Sequence, residues 1–74
     1  MNQAILFNDD HYFDSDYGCW CFSGQLAGEK ILIVLAQETE QQITINTEVT
    51  LDWESLVEDW LEDNEPDQGV ITLT

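Results

Sequence analysis

The chain reads as a small α+β domain: an antiparallel sheet in the order β-β-β-β-α-β, with one acidic amphipathic helix packed on one face. Three observations predict it. Leu51 to Pro66 places Trp53, Leu56, Val57, Trp60 and Leu61 at the i, i+3, i+4, i+7, i+8 spacing of a single helix face. Cys19 to Leu26 alternates apolar and polar, turns at Ala27-Gly28-Glu29, and continues into the apolar run Lys30 to Ala36. After Pro66, the turn Asp67-Gln68-Gly69 leads into Val70 to Thr74, a closing strand. A sheet with one helix across a face is the economical way to bury the Trp-rich stripe.

Taken in order, Gln3 to Phe7 is a short first strand, and Asn8 to Gly18 is a loop rich in acids and aromatics. In Cys19 to Leu26, Trp20, Phe22, Gly24 and Leu26 share one face and Cys19, Cys21, Ser23 and Gln25 the other. Lys30 to Ala36 is apolar throughout, as expected of a central strand covered on both faces. Ile43 to Thr47 alternates β-branched and polar residues and predicts a half-exposed fourth strand. The helix follows, with Thr50 or Asp52 as N-cap and acids in its first turn. Its far end is unfavourable: Glu62 and Asp63 lie where the dipole prefers cations, and Pro66 forbids continuation.

The chain has 74 residues, enough for one domain (1–74) with a small core. It is 43% hydrophobic with three Trp, a globular composition. No apolar run is long enough for a membrane span, and the N-terminus lacks the pattern of a signal peptide, so a cytoplasmic address is expected. Sixteen acids against the single base Lys30 give a net charge of −15. Such a charge excludes direct binding to nucleic acid or to an anionic membrane, which need a basic footprint, and points to a basic protein or metal ions as partner. Cys19 and Cys21 are too close in sequence for an ordinary structural disulfide and read as free thiols of a reducing compartment.

The opening MNQAILF, the hairpin CFSGQLAGEKI and the closing DWESLVEDWLEDNEPDQGVITL resemble the small bacterial YrdB-like proteins, a domain family of unknown function. The resemblance covers about two thirds of the chain and implies a two-layer α+β fold, with no catalytic or binding residues to carry over. The chain departs from that family in the middle. Gln37 to Thr50 is too short for the family's inserted helix and reads as strand.

Enzymatic chemistry finds no support. The only His (His11) and only Lys (Lys30) cannot set up an activated thiol in so negative a field. Paired carboxylates are too abundant to single out an acid and a base, and there is no phosphate-binding glycine loop. No cofactor is expected. Asp14-Ser15-Asp16-Tyr17-Gly18 faintly echoes a calcium loop, but turn-forming Asp residues explain it more simply, and no metal site is assigned. His11 reads as a surface residue rather than a zinc ligand with the two cysteines. Trp20, Trp53, Trp60, Phe7 and Phe22 fall on inward faces, whereas His11, Tyr12, Phe13 and Tyr17 are either a lid on the core or exposed anchors for Arg and Lys.

The helix carries the functional expectation. Glu54, Glu58 and Glu62 form one i, i+4 row, and Asp59 with Asp63 another, with no cation in the helix to offset the repulsion. Carboxylates on such a row recur every ~6 Å, close to phosphate spacing. The expected function is a non-enzymatic acidic module that presents Glu54, Glu58, Asp59, Glu62 and Asp63 to a basic, nucleic-acid-binding protein, with Asp9, Asp10, Asp14 and Asp16 as a second patch. Its sharpest form is a nucleic-acid mimic of the kind phages use against bacterial defence. The alternative is a housekeeping YrdB-like protein whose acidity serves solubility. A monomer is expected, or a weak homodimer through Ile43 and Ile45 opposed by charge.

Overall fold

A computed structural model describes residues 5 to 74. It is an α+β fold: one helix on a five-stranded sheet. The strands are β1 (Ile5–Phe7), β2 (Tyr12–Asp14), β3 (Cys19–Leu26), β4 (Glu29–Leu35) and β5 (Val70–Leu73), and α1 spans Thr47–Asp63. The residues expected at the start of the first strand, Gln3 and Ala4, lie outside the described part.

The β3–β4 hairpin is the centre of the sheet, running from Trp20 opposite Leu35 to Leu26 opposite Glu29. Its turn residues Ala27 and Gly28 both have positive φ (53° and 81°), which gives the twist a two-residue hairpin needs. Gln68 and Gly69 (53° and 78°) repeat the device before β5, and Asp67 and Val70 exchange both backbone hydrogen bonds across it. The helix stops at Asp63, with Asn64 in extended conformation as its C-cap, two residues before Pro66.

Three expectations about the strands are corrected. Ile43 to Thr47 forms no strand: both sides of β4 are taken, by β3 and β5, and the segment runs as irregular chain into α1. The chain just before it, at Glu38 to Glu40, lies against the start of β3, where Trp20 donates its backbone N–H to the Glu38 carbonyl and its indole Nε1 to the Glu40 carbonyl. Ile43 is used as a single side chain against the core. The fourth strand is β2, inside the stretch read as a loop. The sheet is also not antiparallel throughout, because β5 runs parallel to β4, as a strand-helix-strand crossover requires.

The helix begins earlier than Thr50 or Asp52. Asn46 is the N-cap, its Oδ1 accepting the Val49 N–H at 2.9 Å, and this adds a first turn that brings Val49 to the core. At the other end Asn64 Nδ2 donates to the Trp60 carbonyl, satisfying one group that the missing basic residues leave open. Trp53, Val57 and Leu61 are buried against Phe22, Ile31, Ile33, Leu35 and Ile71. Leu56 is not part of this face; it is 51% exposed on the flank towards β5. On the opposite side of the sheet Cys19, Cys21 and Val34 form a second buried cluster with Leu32 and Val70 at its margin, so β4 is buried on both faces as expected.

Candidate functional site

β1 and β2 lie on the same edge of β3, and between them the chain makes a detour. Phe7 pairs with Gly24 and Tyr12 with Cys21, so the four residues Asn8 to His11 stand opposite the two residues Phe22 and Ser23. Ser23 is buried and clamps the detour with all its polar groups. Its N–H donates to Asp10 Oδ1 (2.8 Å), its hydroxyl donates to Asp10 Oδ2 and accepts from Asn8 Nδ2 (3.0 Å), and its carbonyl accepts the Asn8 N–H. Burial raises the Asp10 pKa, but the two Ser23 hydrogen bonds, with help from its own backbone and Lys30, outweigh it and leave the carboxyl below the ordinary value.

The detour sends the His11 ring beneath the helix, contrary to the surface position expected for it. It stacks on Phe22 (ring centroids 4.6 Å apart) and approaches Trp53 (6.0 Å). Phe7–Phe22, Trp53–Trp20 and Trp20–Phe13 contacts extend this into a continuous aromatic row between sheet and helix. His11 and Phe13 are therefore lid residues of the core, while Tyr12 and Tyr17 are exposed. The alternation His-Tyr-Phe-Asp was the signal that could have found this, masked by the surrounding turn formers.

These placements divide the predicted carboxylates. Glu54 does not join an open row with Glu58 and Glu62: its Oε2 lies 3.8 Å from His11 Nε2, at the junction of helix and detour. Burial raises its pKa, His11 partly offsets this, and Asp9 and Glu58 add to the rise. Asp10 serves the Ser23 clamp. Asp14 Oδ1 accepts the N–H groups of Asp16 (2.8 Å) and Tyr17 (3.0 Å), forming the turn that carries β2 into β3. The second patch is thus split: Asp10 and Asp14 shape the backbone, and Asp9 and Asp16 are exposed. On the helix, Glu58, Asp59, Glu62 and Asp63 are all exposed, together with Asp52 and Glu48.

Cys19 and Cys21 are both free and buried, and burial, with Cys19 and Asp14 nearby, pushes the Cys21 thiol up to about 12. A thiol so held is no nucleophile at neutral pH. Among the described residues, no group of three or more His, Cys, Asp or Glu side chains is placed to hold a metal ion. No described helix is long and apolar enough to cross a membrane.

A groove of about 370 Å3 runs between the exposed flank of α1 and the end of β5, with Leu35, Leu56, Trp60 and Leu73 in its lining and Asp59 and Glu38 at its margin. Comparison with protein-family models, with characterised proteins and with solved structures finds no match to this chain.

Proposed function

We propose that this protein is a non-catalytic binding module that presents a carboxylate surface to a basic protein, one whose own ligand is nucleic acid, and acts on it as a mimic-type inhibitor. One observation carries the reading. The carboxylates that the fold uses (Asp10, Asp14 and Glu54) are turned to internal partners, whereas Glu58, Asp59, Glu62 and Asp63 crowd an exposed helix end without a cation in the last turn. That arrangement costs helix stability through like-charge pairs and an unfavourable dipole. An anionic surface of this kind attracts a basic groove through a steered, salt-sensitive encounter.

The test is capture of proteins from a bacterial lysate on the immobilised chain, released by stepped salt and by excess duplex DNA. The Glu58→Lys/Glu62→Lys variant is run alongside. The expected result is one nucleic-acid-binding protein, displaced by DNA and absent from the variant. A smear of basic proteins shed at modest salt, equal for both chains, would leave the acidity as a solvation trait and end the proposal.

A further inference from the structure

Among the described residues no strand lies on the outer edge of β5, and that edge and the groove beside it form a continuous surface. The Leu32 N–H donates to the Gly69 carbonyl and the Ala36 N–H to the Leu73 carbonyl. In a parallel ladder this phase turns the backbone groups of Ile71 and Leu73 towards β4 and those of Val70 and Thr72 outward. Val70 is closed by its two bonds with Asp67, so the outward edge opens at Thr72. Next to it, on the helix side of the sheet, Leu56, Trp60 and Leu73 line the apolar groove. A strand added at Thr72 would set alternate side chains into that groove. Along the helix, Asp52, Asp59 and Asp63 recur at i, i+7 and i+11, on the side of the helix next to Leu56 and Trp60.

We infer that this surface receives an extended segment of the basic partner, with apolar residues alternating with Arg or Lys, paired to β5 from Thr72 onward. The inference rests on the proposed function and adds the form of the recognised element. Charge complementarity selects the occupant: an apolar floor with an acidic margin suits a cationic amphipathic strand. A second copy would bring another −15 chain against that margin.

The test is titration of the isotopically labelled full chain with a short synthetic peptide alternating valine and arginine. A block peptide of the same composition, all valines before all arginines, is the control. Chemical-shift changes should centre on Thr72, Leu73 and the Trp60 indole, and the block peptide should bind more weakly. Leu56→Asp and Thr72→Pro should each weaken binding by roughly tenfold without loss of fold, since Leu56 is exposed and the Thr72 N–H serves no bond to β4. Leu56→Asp is decisive because it adds negative charge: stronger binding would show plain charge attraction and overturn the groove. Shifts spread over Glu58 and Glu62, or equal binding of the block peptide, would overturn it too while leaving the carboxylate reading standing. A lysate partner lost with Glu58→Lys/Glu62→Lys but retained by both groove variants separates the two in the same way. A dimer in sedimentation that Thr72→Pro abolishes would assign the edge to a second copy instead.

Discussion

His11 Nε2 stands 3.8 Å from Glu54 Oε2, and with side chains 6% and 16% exposed neither has ready access to water. Among the described residues the His11 atom makes no hydrogen bond, so the two groups face each other without the directed bond that would secure them. The contact joins the two halves of the domain, because His11 belongs to the detour on the β3 edge and Glu54 to the helix.

A pH dependence follows for Glu54. Its carboxyl has a folded pKa above the ordinary 4.5, through burial first and then Asp9 and Glu58, against the pull of His11. The folded state therefore holds more protons than the unfolded state between those values, and stability falls as pH rises across that window. Urea midpoints followed upward from pH 4.5 should drop further for the wild type than for Glu54→Gln, whose amide does not ionise. Parallel curves would show that the burial of Glu54 has no effect on folding.

Asp10 has the opposite sign. Its pKa lies below 3.8, so the stability it confers is present above the ordinary value and lost as acid carries pH down through the folded value. Asp10→Asn keeps one acceptor and loses the other, leaving the buried Ser23 short of a partner. A loss of about 1–3 kcal/mol is expected in neutral solution, shrinking as the wild type is acidified below 3.8. A neutral substitution would mean that the Ser23 clamp does not hold the detour.

Gly24→Ala tests the pairing of β1. A Cβ at that position would stand 2.9 Å from the Leu6 carbonyl oxygen, closer than such contacts allow, and 3.1 Å from Ile5 Cδ1, a tight contact from which that side chain must give way. Alanine normally strengthens a strand relative to glycine, but here β1 must shift, and equilibrium unfolding should show a loss of about 1–3 kcal/mol. Unchanged or raised stability would place β1 elsewhere.

Charge reversal at Glu58 and Glu62 should abolish partner binding and stabilise the isolated chain. Both positions lie in the last turns of α1, where cations suit the dipole, and each new Lys gains an acidic neighbour, Glu54 at i−4 for position 58 and Asp59 at i−3 for position 62. The gain is expected at about 0.5–1 kcal/mol in low salt and should fade as salt screens it. A destabilised double variant would mean that these carboxylates have an intramolecular role.

The sequence showed the helix stripe at Trp53, Val57 and Leu61 and the β3–β4 hairpin because each is encoded in local periodicity. The early start of α1 was missed because a single Asn46 side chain decides it, ahead of the apolar repeat. Ile43 to Thr47 has a strand's alternation but pairs with no strand, because periodicity encodes which residues can alternate and not which edge they meet. The parallel β5 was inferable, since a helix between two strands of one sheet implies a crossover. In the candidate site, composition identified the acids but could not sort them. Asp10, Asp14 and Glu54 look like Glu58 in the sequence, and only their contacts with Ser23, the Asp16–Tyr17 turn and His11 set them apart.

The parallel crossover also sets an order of events during synthesis. The β3–β4 hairpin can close as soon as it leaves the ribosome, but β4 keeps one bare side until residues up to Leu73 have emerged. Ile71, fully buried in the finished core, therefore arrives only after the whole of α1 has been made. During that interval the growing chain exposes an apolar central strand, a state prone to aggregation. The net charge of −15 opposes such association through repulsion between carboxylates.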